Sequence, residues 1–186
     1  MIEIVRRLLC SAVRPILAAG PSGPQALRFK LGSADVKADA TVPLVHVYQG
    51  CGGQNVSPAL EWHNPPPGTR SFAVTVYDPD APTGSGWWHW MMINIPAGTH
   101  ALSRGAGNPG GTRPAGTVQA RNDYGETGYG GPCPPPGDRP HRYIFTVFAL
   151  KVVHLDVKAD SSCALIGFNI NANKIEEASF TALYGH

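Results

Sequence analysis

The chain contains two loops rich in proline and glycine, and each adjoins strand-like runs that carry titratable side chains. The first loop lies between Asp78 and Trp88, and the second lies between Gly131 and His141. Proline fixes φ and glycine adopts conformations that other residues avoid, so loops of this composition hold a rigid and unusual shape. Rigid loops that carry Asp, His and Tyr on a scaffold are typical of small-ligand sites.

The bulk composition favours one domain built from short strands. The chain has 186 residues, of which 22 are Gly and 18 are Pro, and this content predicts many turns rather than long helices. At 42% hydrophobic the composition is globular, and a chain of this length buries about 70% of its unfolded surface. A net charge of +2 with scattered basic residues argues against nucleic-acid binding.

Three apolar runs predict the central strands of the domain. Ser71–Asp78 alternates, with Phe72, Val74 and Val76 on one face. Residues 88–95 and 142–150 are apolar almost throughout, as strands covered on both faces tend to be. Short strands with long connections predict an antiparallel β-sandwich. The stretch 103–137 has little pattern, and a loop of that length inside a compact domain is usually functional.

The two loops and their strands resemble the two signature motifs of the phosphatidylethanolamine-binding protein family, in its bacterial and archaeal Raf kinase inhibitor-like branch. The matching runs are Asp78-Pro-Asp-Ala-Pro, the Trp-His89-Trp step and Gly131-Pro-Cys-Pro-Pro with His141-Arg-Tyr, supported by Cys51-Gly-Gly-Gln-Asn-Val-Ser-Pro and the closing Leu183-Tyr-Gly. The resemblance implies a mainly β fold, an antiparallel sandwich with short C-terminal helices. It assigns the domain to residues 27–186.

Residues 1–26 are not covered by the resemblance. Apolar residues at three- and four-residue steps, from Ile2 to Ile16, predict an amphipathic helix followed by a Gly/Pro-rich linker. This N-terminal helical extension is expected to pack on the domain or on a second subunit, as in a homodimer. A signal peptide is the alternative, although Arg14 and Pro15 interrupt its apolar region. A cytoplasmic protein is therefore expected, with a periplasmic one as the alternative.

Near the C-terminus two helices are predicted. Asp160 or Ser161 is expected to cap a short helix that ends at about Phe168. A second helix is expected over residues 171–183, with Ile175, Ala178, Ala182 and Leu183 on one side.

The carboxylates Asp78 and Asp80 allow two interpretations. A carboxylate pair can serve as general acid and base, but it can equally end a strand and bond loop amides. The family resemblance implies that the first of them faces the ligand cavity while the second braces the loop. The same resemblance and the need for a sharp turn predict a cis peptide at Ala81–Pro82.

Two histidines lie near these carboxylates in the predicted site. In an alternating strand, Trp88 and Trp90 share one face and His89 takes the other. His89 alone is more often a satisfied core residue, but His141 begins a second strand after the Pro-rich loop. Two imidazoles and a carboxylate can hold a metal, yet the resemblance implies none, and neither a metal nor another cofactor is expected.

An anion cavity accounts better for these side chains. Imidazole N–H groups, the Tyr143 phenol and loop amides near Gly131 all donate hydrogen bonds, which suits a phosphate group. Its binding is expected to strengthen as the pH falls past the usual histidine pKa of about 6.5. The predicted ligand-binding residues are Asp78, Asp80, Pro82, His89, Tyr129, Gly131, Pro132, His141 and Tyr143.

The four cysteines are Cys10, Cys51, Cys133 and Cys163. Their spacing matches no zinc site and demands no disulfide, so reduced thiols are favoured. Cys133 lies next to the second motif, but its flanking prolines are typical of a structural thiol.

Three functions remain open at this stage. The favoured one is a binding protein for a phosphate-bearing small molecule or phospholipid head group, which regulates as a kinase or protease inhibitor without catalysis. The second is a protein-interaction module with a vestigial pocket. The third is a hydrolase that uses Asp78, His89 and His141, although no Ser or Cys stands in a nucleophile-elbow setting.

Overall fold

Eight strands and one α-helix form the domain in the computed structural model, which describes residues 27–185. The predicted N-terminal helix and the homodimer expected from it lie outside these residues. The elements are β1 (Lys30–Gly32), β2 (Leu60–His63), β3 (Ser71–Asp78), β4 (Trp87–Pro96), β5 (Ala101–Leu102), β6 (Val118–Gln119), β7 (His141–Leu150), α1 (Cys163–Asn173) and β8 (Lys174–Tyr184).

The strands form two antiparallel sheets that pack face to face. The smaller sheet has the order β1-β2-β5 and the larger has the order β6-β4-β3-β7-β8. The main core lies between the sheets, where the ring of Trp62 from β2 lies 5.4 Å from that of Phe72 in β3. Phe72, Val74 and Val76 all belong to this core. The predicted antiparallel β-sandwich is confirmed.

A second apolar cluster covers the outer face of the larger sheet. Cys163, Ile166 and Ile170 of α1 pack there against residues such as Ala73 and Met91. Ser162 caps the helix, its side chain accepting a hydrogen bond from the Leu165 amide at 3.2 Å. Because both faces of β3 and β4 are covered, these strands are apolar almost throughout. No helix among residues 27–185 is long and apolar enough to cross a membrane.

The prediction of a second C-terminal helix over residues 171–183 is wrong. α1 continues to Asn173, and the chain then forms β8, which pairs with β7 along its length, from Lys174 opposite Leu150 to Tyr184 opposite His141. The alternate residues Ala178, Phe180 and Ala182 pack on the main core. Without β8, β7 would be left with an unpaired edge, so strand pairing overrides a helical spacing that the sequence alone favours.

The alternation expected around His89 is also wrong. Val76 pairs with Trp90 and Tyr77 pairs with Trp88, so His89 is the extra residue of a β-bulge. As a result Trp90 packs in the main core while Trp88 packs against the outer cluster. A bulge re-aims the side chain at its centre, and here it directs His89 toward Tyr143, whose ring centroid lies 5.1 Å away.

Two further expectations are corrected. Cys51 and Cys133 form a disulfide, with their Cα atoms 5.5 Å apart, rather than remaining reduced. The two residues are separated by 82 positions, so no local spacing signals the pair. Cys163 is a buried free thiol. No cis peptide occurs among residues 27–185, and the Ala81–Pro82 bond is therefore trans.

Candidate functional site

A cavity of about 260 Å³ opens at one end of the larger sheet, where β3 ends and both β4 and β7 begin. The loop after β3 and the loop before β7 form its walls, so the two proline-rich loops meet here. None of its lining residues is Lys or Arg. The cavity is lined by Asp78, Ala81, Pro82, Thr83, Trp87, His89, Tyr124, Cys133, Pro134, Pro135, His141 and Tyr143.

Asp78 is held in place by three hydrogen bonds. Its Oδ1 accepts from the amides of Asp80 and Ala81 at 2.8 and 3.1 Å, which forms a turn at the end of β3. Its Oδ2 lies 2.7 Å from Nδ1 of His141. A carboxylate only accepts, so Nδ1 of His141 carries the proton. Both side chains are almost fully buried, and the carboxylate fixes the orientation of the imidazole.

His89 has one satisfied nitrogen and one free nitrogen. Nδ1 lies 2.7 and 3.1 Å from the carbonyl oxygens of Gly130 and Gly131, so it must donate. Nε2 is buried and has no hydrogen-bond partner. Burial lowers the pKa of His89 to about 4, because the charged form is poorly solvated. Near pH 7 the ring is therefore neutral, and its unpartnered Nε2 carries a lone pair.

Tyr143 and Trp87 provide two free donors beside this acceptor. The Tyr143 hydroxyl and the Trp87 indole Nε1 are both buried without a partner. Burial raises the pKa of Tyr143, so its phenol keeps its proton at neutral pH. Three residues that line the cavity thus each carry a buried polar atom that no group among the described residues satisfies. Native proteins rarely leave such atoms unpaired, and each requires an explanation.

Tyr124 is a site residue that the sequence reasoning missed. Its hydroxyl donates to the Gly131 carbonyl at 3.0 Å, and its ring stacks on that of Tyr48 at 4.1 Å. The ring also meets Trp87 and His89 edge to face, at 5.2 and 5.6 Å. Tyr124 belongs to the irregular stretch 103–137, where no periodicity marks which side chains turn inward. Only the length of that loop signalled a functional role.

The disulfide holds the wall formed by Cys133, Pro134 and Pro135. It ties Cys133 to the 3₁₀ turn Gln49–Cys51, and the Tyr48 amide donates to the Pro132 carbonyl at 3.0 Å beside it. Because Cys133 is oxidised, it is unavailable as a nucleophile. This wall therefore shapes the cavity.

Asp80 was predicted as a ligand-binding residue, but it does not line the cavity. Its carboxylate accepts from the backbone N, Nε and Nη2 of Arg142, each at 2.9 Å. These hydrogen bonds from Arg142 lower the pKa of Asp80 to about 2. Asp80 therefore joins the loop after β3 to β7, which is the bracing role that the family resemblance implied.

Three other predicted residues support the cavity without lining it. The Gly131 amide donates to Asn55 at 2.7 Å, and a Cβ on Gly131 would overlap the carbonyl of His46, so glycine is needed for close approach. Pro132 is buried beside it. Tyr129 donates to the His46 carbonyl at 2.8 Å and borders a separate polar cavity of about 510 Å³. The expectation that loop amides remain free for a ligand is therefore wrong at Gly131.

Five predicted residues do line the cavity: Asp78, Pro82, His89, His141 and Tyr143. Trp87, which was not among the predicted ligand-binding residues, also lines the cavity. Within residues 27–185 there is no group of three or more His, Cys, Asp or Glu side chains arranged to hold a metal ion. The arrangement instead offers separate hydrogen-bond donors and acceptors around a small space.

Comparison with known proteins places this geometry in a family. The chain is 50% identical over 175 residues to the UPF0098 protein YbcL of Escherichia coli, covering 92% of this chain and 96% of that protein. It is 48% identical over 158 residues to the UPF0098 protein YbhB of the same species, covering 84% and 99%.

Solved structures agree with these sequence matches. The crystal structure of Escherichia coli YbcL, described as a new member of the mammalian PEBP family, superposes with a TM-score of 0.83 at 52% identity, covering 85% of this chain and 98% of that one. A phosphatidylethanolamine-binding protein from Plasmodium vivax, at 15% identity and a TM-score of 0.55, shares the fold, covering 89% of this chain and 90% of that one. The family model described as phosphatidylethanolamine-binding protein matches residues 32–185. The chain therefore belongs to the phosphatidylethanolamine-binding protein family.

Proposed function

We propose that the protein binds a small anion or phosphorylated head group in this cavity and acts as a regulator without catalysis. The observation that carries the proposal is that three residues lining one cavity each carry a buried atom without a partner: Trp87 Nε1, His89 Nε2 and Tyr143 OH. Two of them donate and one accepts, which matches a group with several oxygens. A cavity of about 260 Å³ is smaller than the roughly 300–1,000 Å³ of drug-sized sites, so a head group fits better than a whole lipid.

The polar atoms of the cavity are suited to binding rather than to catalysis. Asp78 already accepts three hydrogen bonds, and one of them orients His141. Hydrolysis needs a nucleophile for a general base to activate, as well as the base itself. Cys133 is in a disulfide, and the hydroxyl side chains that line the cavity are Thr83, Tyr124 and Tyr143, of which Tyr124 donates to the Gly131 carbonyl. We therefore favour binding over hydrolysis by Asp78, His89 and His141.

A regulatory partner such as a protein kinase or protease belongs to the same proposal. The outer side of α1 exposes Phe168 and Leu165, at 70% and 48% of their surface. These apolar side chains are the observation that favours the alternative, a protein-interaction module with a vestigial pocket. Binding measurements with small anions separate the two functions, because only the first requires an intact cavity.

The disulfide also bears on where the protein works. Disulfides persist in oxidising compartments and are rare in the cytosol of mesophiles. We propose an oxidising compartment, which favours the periplasmic alternative over the cytoplasmic expectation. Trapping free thiols with a maleimide in intact cells, followed by non-reducing electrophoresis, tests this. Rapid labelling of Cys51 and Cys133 without added reductant would contradict it.

Calorimetric titration with inorganic phosphate and O-phosphoethanolamine tests the binding function. We expect saturable one-site binding that His89→Ala and His141→Ala abolish. Tyr143→Phe removes one donor to a charged group, so the affinity should fall about tenfold or more. His63→Ala is the matched control, since this histidine is exposed on β2 in the other sheet.

The pH dependence gives a second readout of the same titration. A phosphate monoester has a second pKa of about 6, so its protonated form increases as the pH falls. We expect phosphate affinity to rise as the pH falls through about 6. Affinity that stays constant from about pH 5 to 8, or a folded wild type that binds neither ligand, would contradict the proposal.

A further inference from the structure

The hydrogen-bonding direction of His89 is fixed by the backbone. Two carbonyl oxygens, from Gly130 and Gly131, face Nδ1 within hydrogen-bonding distance, and carbonyls only accept. The proton must therefore stay on Nδ1, and Nε2 in the neutral ring can only accept. Nε2 is buried and unpartnered, and His89 lines the cavity. A ligand must bring its own donor to satisfy this atom.

A second acceptor lies in the same cavity. Asp78 is a buried carboxylate paired with His141, which also lies 3.4 Å from Asp138, and no lysine or arginine lines the cavity. An anion that carries no proton could therefore donate a hydrogen bond neither to His89 Nε2 nor to the Asp78 carboxylate. The ionisable groups around the His89 ring are Asp78, Asp123, Tyr124, His141 and Tyr143.

We propose that the pocket selects anions that carry an acidic proton, such as the monoanion of a phosphate monoester, over sulfate esters and phosphodiesters of the same charge. The acidic P–OH donates to His89 Nε2, while the remaining oxygens accept from Tyr143 OH and Trp87 Nε1. This inference rests on the proposed anion-binding function and names the ligand class within it. It also means that a free or monoester head group is preferred to the diester found in an intact phospholipid.

The discrimination has a clear physical origin. A sulfate ester keeps the size, shape and single charge of the protonated phosphate ester but lacks the donor. When it binds, Nε2 stays buried and unsatisfied, and such a loss costs roughly tenfold to a hundredfold in affinity. The alternative is that His89 itself takes a proton. Its burial opposes that change, since the charged ring is poorly solvated there.

Methyl phosphate and methyl sulfate are the matched probes. Both are titrated into the full chain by calorimetry at about pH 6, where roughly half of the phosphate monoester carries its proton. We expect methyl phosphate to bind at least roughly tenfold more tightly. Dimethyl phosphate, a diester with no acidic proton, should follow methyl sulfate. Equal affinities for methyl phosphate and methyl sulfate would overturn the inference.

Two variants locate the source of the selectivity. Tyr143→Phe removes a donor that both probes use, so both affinities should fall while their ratio is kept. His89→Gln presents an amide that can rotate to donate or accept, so the ratio should collapse to within about threefold. A wild-type ratio that survives in folded His89→Gln would overturn the role of His89. If this variant does not fold, the comparison of methyl phosphate with methyl sulfate on the wild type still tests the selectivity.

The outcomes separate this inference from the function on which it rests. If neither methyl phosphate nor methyl sulfate binds, and phosphate does not bind either, the anion pocket itself fails. If both bind with equal affinity, the pocket stands and only the selectivity fails. Tighter binding of methyl phosphate supports both.

Discussion

Removing the disulfide should destabilise the domain strongly, because the bond closes a long loop. The perturbation is the double substitution of Cys51 and Cys133 by serine, made in a Cys10→Ser background so that the buried Cys163 is the one thiol left besides the pair. The two residues are separated by 82 positions. In the chain-entropy relation, closing a loop of that length removes about 15 cal/mol/K from the unfolded state, or about 4.5 kcal/mol at 25 °C.

The native contacts around the disulfide indicate that its removal acts mainly on the unfolded state. The Tyr48–Pro132 and Gly131–Asn55 hydrogen bonds, at 3.0 and 2.7 Å, join the same two segments and do not depend on the sulfur atoms. The folded geometry should therefore survive. Typical domains are stable by about 5–15 kcal/mol, so a loss of this size leaves a folded but much weakened protein.

Urea unfolding at equilibrium, followed by far-UV circular dichroism, measures the change. We expect a lower midpoint and a larger m-value, since the unfolded chain without the cross-link exposes more surface. Cys163→Ser is the matched control: its thiol is buried, and burial raises its pKa to about 12, so it should neither exchange nor contribute a cross-link. A decrease below about 1 kcal/mol in the double variant would refute the loop-closure reasoning.

Two further predictions concern the charged groups near the cavity. Asp80→Asn should lower the free energy of unfolding by about 1–2 kcal/mol, a value reduced because Arg142 is half exposed. Phosphate affinity, measured by calorimetry, should stay within about threefold of the wild-type value. A loss of binding with unchanged stability would show that Asp80 contacts ligand. The folded-state pKa of His89 is lowered to about 4. The stability that comes from burying the neutral ring is therefore fully present above the unfolded pKa of about 6.5. It is lost as the pH falls toward 4, and the loss reaches up to about 3 kcal/mol. Urea unfolding between pH 7 and 4 should therefore show a smaller loss for His89→Gln than for the wild type; parallel pH profiles would contradict a buried neutral ring.

The parts of the fold that could be predicted are those encoded locally. Phe72, Val74 and Val76 alternate, and the strand that contains them forms as expected, because its side chains are buried by a sheet on one side and a helix on the other. The strand nature of residues 174–184 was missed because its pattern fits a helix equally well. Only its partner β7, which is distant in sequence, distinguishes the two structures.

In the candidate site, too, some features are encoded locally and others depend on distant segments. Asp78 and His141 belong to recognisable motifs, and the structure brings them within 2.7 Å of each other. The bulge at His89, the Cys51–Cys133 bond and the inward position of Tyr124 all depend on contacts between separate segments. No spacing along the chain signals them. Motifs thus predicted which loops meet, while the direction of each polar atom required the structure.

The position of an unpaired polar atom distinguishes a binding site from a packing defect. Trp62 Nε1 is also buried without a partner, yet Trp62 lies in the core between the sheets and does not line the cavity. One such atom costs about 1–3 kcal/mol and by itself implies no ligand. Trp87, His89 and Tyr143 add three of these costs at one place, where a bulge, a pair of backbone carbonyls and a disulfide-bonded loop hold them. A domain stable by about 5–15 kcal/mol has little reason to concentrate such losses unless a bound group recovers them.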